Sequence, residues 1–190
     1  MIYELPTSVE VNGSEYQIRS DYRPILDILL ALEDPELNDQ DKALVVLSVF
    51  YPDFEDMSPV DYEEAVKKCF WFINCGSEGQ NKKSPKLMDW EKDFQQIVAP
   101  INRVAGKEIR SIEYLHWWTF ISYYYEIGDC LFAQIVRIRE KKAKGKPLDK
   151  SDKEFYRKNR DLIDIQTKYT EAENQLIEML AGNGASSKNC

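Results

Sequence analysis

Histidine is the side chain used most often for acid–base catalysis near neutral pH, and the sequence contains a single one, His116. It stands between Leu115 and Trp117 in an aromatic stretch, which favours a buried histidine with satisfied hydrogen bonds over a catalytic base. Glycine-rich nucleotide-binding patterns, HExxH and GxSxG are all absent. The sequence therefore predicts a protein with no catalytic residues and no cofactor.

Carboxylates and thiols are the remaining candidates for metal chemistry. Asp53, Glu55 and Asp56 lie close together, but they lack the alternating order of a calcium loop, so we interpret them as a solvated face. The four cysteines are irregularly spaced, without the close pairs that a structural zinc site uses: Cys69, Cys75, Cys130 and Cys190. We expect free thiols in or near the core and no bound metal.

Charge is distributed unevenly along the 190 residues, whose formal net charge is −8. Residues 1–100 carry 9 basic and 20 acidic side chains, whereas residues 137–160 carry 11 basic and 4 acidic ones. The basic segment 137–160 is compatible with a partner site, with docking against the acidic half of the chain, or with nucleic acid. Its candidate interface residues are Arg137, Arg139, Lys141 and Lys142.

Aromatic side chains are concentrated immediately before this basic segment. Trp117, Trp118 and the three tyrosines at 123–125 would suit a base-stacking platform if they were interleaved with cations. They precede the cations instead, which favours a core position, although three consecutive tyrosines cannot all face inward.

The first half of the chain predicts a β-hairpin followed by helices. Asn12-Gly13 between alternating runs indicates a hairpin over residues 7–19. Apolar residues at helical spacing then predict three helices. The first ends before Asp34-Pro35 and the second spans residues 39–50. The third begins at Ser58-Pro59, with Ser58 as its N-cap.

The second half predicts three more helices after a glycine- and lysine-rich linker at residues 76–86. One runs over residues 88–105, a central aromatic helix begins at Ser111, and a long last helix spans residues 151–180. An apolar seam with heptad spacing on this last helix makes it a candidate partner surface. The candidate contact residues of this seam are Phe155, Leu162, Ile165, Tyr169 and Leu176.

Together these elements predict a mainly α fold: a helical bundle with an N-terminal β-hairpin and a long C-terminal helix. Residues 1–75 would form one helical half and residues 87–180 another, followed by a disordered tail at 181–190. No apolar run long enough to span a membrane occurs, and the start of the chain lacks a signal-peptide pattern, so we expect a location in the cytoplasm, with no membrane partner.

Several stretches resemble the bacteriophage gene-product-fifteen family of siphophage and prophage proteins. The most specific are HWWTF at 116–120 and KGKPL at 144–148, supported by YELP at 3–6 and PINRVAG at 100–106. The resemblance covers about residues 1–180. It implies a gene in the tail module and a tail assembly chaperone for the long helical tape-measure protein. It also implies that the cytoplasm is that of a host bacterium, and it implies no catalytic residues.

Three hypotheses follow. The leading one is a non-enzymatic tail assembly factor that binds the tape-measure protein and that could form homo-oligomers. The second is a structural tail or head-tail component that uses the hairpin as an edge for strand addition. The third is a nucleic-acid-binding phage protein that uses the basic segment 137–160, which the overall negative charge makes less favourable.

Overall fold

The N-terminal hairpin is present in the computed structural model, which describes residues 4–77, 85–165, 168 and 170–173. Strand β1 (Ser8–Val11) pairs antiparallel with β2 (Ser14–Gln17), with Val9 opposite Tyr16. Asn12 and Gly13 form the turn with φ angles of 49° and 84°. Val9 and Val11 are buried, so the hairpin is fixed by packing one face on the core.

Three helices follow: α1 (Tyr22–Leu32), α2 (Asp39–Phe50) and α3 (Tyr62–Ile73). The predicted bounds of α2 are confirmed. The helix begins at Asp39 because the Asn38 side chain accepts hydrogen bonds from the N–H groups of Gln40 and Asp41. The predicted start of α3 is wrong. Residues Pro59–Asp61 form a 3₁₀ turn, and Ser58 makes no capping bond. The Asp61 carboxylate instead accepts hydrogen bonds from Asn12 and Tyr16, which ties this turn to the hairpin.

Helix α4 (Trp90–Ala105) ends as predicted at Gly106, which adopts a left-handed φ of 68°. The prediction of one helix from Ser111 through the aromatic stretch is wrong. The structure has two, α5 (Trp117–Tyr125) and α6 (Leu131–Ala143). The chain before α5 is extended because it bridges to the start of α1: the Leu115 N–H donates to the Asp21 carboxylate at 2.8 Å.

The predicted long helix over residues 151–180 is also wrong. Helix α7 (Lys150–Lys158) ends at Asn159, and the four-residue α8 (Arg160–Ile163) follows it. Buried Arg139 of α6 donates to the carbonyls of Leu162 and Ile163, and these bonds hold the end of α8 against the bundle. Residues 181–190, for which disorder was predicted, lie outside the described residues.

A large hydrophobic core contains side chains from before and after residues 76–86, from Val9 to Phe132. A second, smaller cluster joins Ile135 and Ile138 of α6 to Ile163 of α8. The mainly α class with an N-terminal hairpin is confirmed, whereas the division into two halves stays a prediction. Among the described residues, no helix combines the length and the apolar character needed to cross a membrane.

Candidate partner-binding groove

An open, largely apolar groove of about 420 Å³ lies between α1 and α4. Tyr22, Leu26 and Leu30 recur at four-residue spacing along α1 and therefore share one face of it. Trp90 and Phe94 have the same spacing at the start of α4 and form the opposite wall. Because Leu26, Leu30 and Phe94 are only half-buried, the groove offers apolar surface to a ligand.

Tyr22 and Trp90, which form the floor of this groove, pack against the aromatic side chains of α5. The Tyr22 ring stacks on Phe120 of α5, with ring centroids 4.8 Å apart and an interplanar angle of 5°. Trp90 packs against three aromatic rings of α5, at centroid distances of 5.8–6.1 Å. Rings packed on several sides lose little further freedom when a ligand binds, so the floor is preorganised.

Two arginines that line the groove, Arg23 and Arg110, already have partners. Arg23 pairs with Asp21 at 3.0 Å and donates to the Ile112 and Glu113 carbonyls. Arg110 donates two hydrogen bonds to the Glu108 carboxylate, which holds the pKa of Glu108 down at about 2. With these cations engaged, the groove favours an apolar ligand over an anionic one.

The cations of the basic segment are also largely engaged within the chain. Arg139, predicted as an interface residue, is 5% exposed and forms a two-pronged ion pair with Asp93 of α4. Arg137 and Lys141 both pair with the buried carboxylate of Asp152. Lys142, the fourth predicted residue, pairs with Asp164. In this conformation Arg139 is inaccessible and the other three are tied to acidic neighbours.

The predicted seam is divided by the helix break at Asn159. Phe155 and Leu162 pack on the small cluster around Ile135 and Ile138, on their own chain. Ile165 lies beyond the end of α8 and lines a depression beside Arg139. Tyr169 and Leu176 lie outside the described residues.

His116 caps α5 and has no free nitrogen for catalysis in this structure. Its Nδ1 accepts a hydrogen bond from the Trp118 N–H at 3.0 Å, so the proton lies on Nε2, which faces the Pro6 carbonyl oxygen at 3.0 Å. Burial lowers the pKa of His116 and favours the neutral ring. The prediction of a buried, satisfied histidine is confirmed.

The tandem tryptophans also have structural partners. Trp117 and Trp118 donate their indole N–H groups to the Ile73 and Phe72 carbonyls, at 2.9 and 2.8 Å. Both carbonyls belong to the last turn of α3, where the helix supplies no i+4 N–H partner, and the Phe72 carbonyl also accepts the Cys75 N–H at 3.0 Å. The core position predicted for the tryptophans is confirmed, and Tyr125, 77% exposed, is the consecutive tyrosine that faces outward most.

The metal-ligating residue types do not form a cluster of three or more anywhere in the described ranges. Cys69, Cys75 and Cys130 are free thiols, and burial raises the pKa of the Cys69 thiol. Its sulfur is therefore kept protonated and unreactive.

The sequence did not predict the groove, because half-exposed apolar side chains on a helix have the same spacing as fully buried ones. The signal was nevertheless present: α1 has apolar residues on more of its circumference than a single packed face needs. Ile25 and Ile28 are fully buried, whereas Leu26 and Leu30, on the adjacent face, remain half-exposed.

No curated protein and no solved structure shows a significant match to the chain. A family model described as Bacteriophage Gp15 protein matches residues 1–165 of the 190. The matched region contains the hairpin, all of α1–α8 and every residue that lines the groove. The chain therefore belongs to the bacteriophage Gp15 protein family.

Proposed function

We propose that this phage protein is a non-enzymatic tail assembly factor, and that it acts as a chaperone by holding an amphipathic helix of the tape-measure protein in the α1–α4 groove. The groove carries the proposal, because its preorganised apolar floor and half-exposed walls are suited to the apolar face of a helix. The resemblance noted in the sequence supplies the identity of the partner, a long and largely helical protein.

The dimensions of the groove support a helical ligand. From Tyr22 to Leu30 the α1 wall spans eight residues, which is about 12 Å at about 1.5 Å per residue. That length accommodates roughly two turns of a partner helix and three apolar side chains at i, i+4 and i+7. A long helical partner would therefore bind several copies of this protein in series, each copy engaging one short amphipathic stretch.

The contacts of His116 and of the basic residues support a protein-binding role over an enzymatic or a nucleic-acid-binding one. His116 is occupied as a helix cap, and the predicted interface cations pair with acidic groups of the same chain. A nucleic-acid surface would need these cations free for phosphates.

Co-expression with the tape-measure protein tests the proposal, with Leu26→Asp as the groove variant and Leu44→Asp as the matched control. Leu44 lies on α2, is 48% exposed and does not line the groove. We expect the unmodified chain and Leu44→Asp to co-purify with the tape-measure protein and keep it soluble. Leu26→Asp should weaken binding at least tenfold, because burying one leucine contributes about 1.5–3 kcal/mol.

Two results would overturn the proposal. One is tape-measure protein that stays soluble and forms normal tails when this gene is deleted. The other is equal binding by the Leu26→Asp and Leu44→Asp variants, which would exclude the groove as the site. Mass spectrometry of purified virions separates a chaperone, which is left behind, from the structural tail or head-tail component of the second hypothesis.

A further inference from the structure

Both walls of the α1–α4 groove carry a carboxylate beside their apolar side chains. On α1, Asp27 lies one residue after Leu26. On α4, Glu91 lies one residue after Trp90. Both carboxylates are exposed, and because successive residues are about 100° apart around a helix, each lies to the side of the apolar stripe of its own helix. A helix seated in the groove would therefore meet carboxylates along the edges of its apolar face.

The arginines that line the groove are neutralised by other carboxylates. Arg23 pairs with Asp21 at 3.0 Å, and Arg110 pairs with Glu108 at 2.8 Å. Asp27, in contrast, forms no ion pair with any residue that the structure describes. A negative charge therefore remains on the rim of the groove after the internal pairs have been counted.

The other rim carboxylate, Glu91, already binds an ammonium group. Lys168 Nζ lies 2.7 Å from Glu91 Oε2, and Lys168 lines a smaller depression that shares Leu30 and Glu91 with the groove. The side chains of Lys168 and Glu91 are 36% and 65% exposed. Because an exposed pair of this kind is weak, a cation of a ligand can replace Lys168 at little cost.

We propose that the α1–α4 groove selects a cationic amphipathic helix, whose apolar side chains enter the groove while flanking lysines or arginines bind Asp27 and Glu91. That the ligand is a helix rests on the function proposed above, whereas the charge of its flanks follows from the rim. An anionic helix would bring carboxylates against Asp27 and Glu91 without gaining free cations in return. Since Asp27 lies one turn beyond Arg23 and Glu91 lies beside Leu30, the basic side chains of the ligand should be concentrated near the Leu30 end.

Two designed helical peptides test this selection without the natural partner. Both have about 18 residues and leucines at i, i+4 and i+7, and they differ only at the flanking positions, which are lysine in one and glutamate in the other. Fluorescence anisotropy at about 50 mM salt, where surface charges are screened little, measures their affinity for the full chain. We expect the lysine peptide to bind at least fivefold more tightly, because each exposed ion pair contributes about two- to fivefold.

A charge-neutral groove variant, Leu26→Ser, separates the charge selection from the proposed function. Equal affinities of the two peptides, both weakened by Leu26→Ser, would overturn the charge selection and leave the groove as a helix-binding site. No binding of either peptide, or binding that Leu26→Ser leaves unchanged, would overturn the groove as the site and the charge selection with it.

Variants of the rim identify the carboxylates that act. Glu91→Gln is matched by Glu63→Gln, because each is the second residue of its helix, α4 or α3, and Glu63 is exposed and does not line the groove. We expect Glu91→Gln and Asp27→Asn each to weaken the lysine peptide about two- to fivefold, and Glu63→Gln to change it by less than about 1.5-fold. Lys168→Met, which releases the Glu91 carboxylate, should strengthen binding of the lysine peptide. Weaker binding by Lys168→Met, or equal effects of Glu91→Gln and Glu63→Gln, would overturn the charge selection.

Discussion

The buried ion pair between Asp93 and Arg139 joins α4, α6 and α8, and Arg139→Met removes its cation while keeping a side chain of similar length. Arg139 donates two hydrogen bonds to Asp93, at 2.5 and 2.9 Å. It also donates to three carbonyl oxygens, at 2.6–3.0 Å, those of Leu87, Leu162 and Ile163. Without it, Asp93 keeps one hydrogen bond, from the Asp89 N–H, and stays 1% exposed.

The expected loss follows from leaving a buried carboxylate without its counter-charge. Removing one member of such a pair costs about 3–5 kcal/mol, a large share of the about 5–15 kcal/mol by which domains are stable. Urea unfolding followed by circular dichroism measures it. With an m-value of about 2–3 kcal/mol/M, the urea midpoint should fall by about 1–2.5 M.

Two further variants make this prediction refutable. The first is Arg137→Met, two residues away on α6. The Arg137 side chain is 57% exposed, and its partner Asp152 would keep its ion pair with Lys141. We therefore expect the free energy of unfolding to fall by less than about 1 kcal/mol. The double variant Arg139→Met with Asp93→Leu removes both charges and should recover about 1–2 kcal/mol relative to Arg139→Met alone. A loss below about 1 kcal/mol for Arg139→Met, or no recovery in the double variant, would refute the structural reasoning.

Three further predictions concern a titrating cap, a turn and the salt dependence of binding. The folded-state pKa of His116 lies below its ordinary 6.5, so the unfolded chain binds more protons, and stability should fall as the pH drops below about 6.5. His116→Asn, which keeps a capping oxygen without a titrating ring, should remove this contribution from urea midpoints measured between pH 5 and 7.5; an unchanged pH slope would contradict it. Gly76 has a φ of 82°, and an added Cβ would lie 3.3 Å from Trp118 Cη2, whereas the space around Gly145 (φ 62°) is open. Gly76→Ala should therefore lower the thermal midpoint more than Gly145→Ala, which incurs only the left-handed backbone cost of about 1–2 kcal/mol; equal shifts would contradict the close approach. Binding of a tape-measure helix should weaken less than about threefold between 50 and 200 mM salt, whereas a protein making several phosphate contacts loses about 10³–10⁵ over that range; calorimetric titrations at both salt concentrations distinguish the two.

Local signals in the sequence were sufficient for the elements whose ends are set by their own residues. Asn12-Gly13 specifies the hairpin turn, because both positions adopt positive φ. Asn38 and Gly106 likewise fix the start of α2 and the end of α4 through capping. In each case the determining interaction joins residues close in sequence, so a pattern in one short window contains it.

The misplaced helix boundaries were decided by contacts between residues distant in sequence. Leu115 is held extended by Asp21, and Asp61 is turned toward the hairpin by Asn12 and Tyr16. The heptad pattern through Phe155 and Leu162 indicated one continuous helix, yet both side chains pack on a cluster beside α6 while the chain turns at Asn159. Tertiary contacts of this kind override local propensity and periodicity, and neither a propensity nor a period encodes them.

The basic segment 137–160 does not dock as a whole against the acidic half of the chain. Arg137, Lys141 and Lys142 pair with acidic residues of the same C-terminal part of the chain, Asp152 and Asp164. Of the candidate interface cations, Arg139 alone pairs with the acidic first hundred residues, and it does so in the interior. Charge complementarity here fixes α7 and α8 to the bundle. Because these cations are engaged in that way, the basic segment has fewer free charges than its composition suggests, whereas the walls between α1 and α4 keep half-exposed apolar side chains.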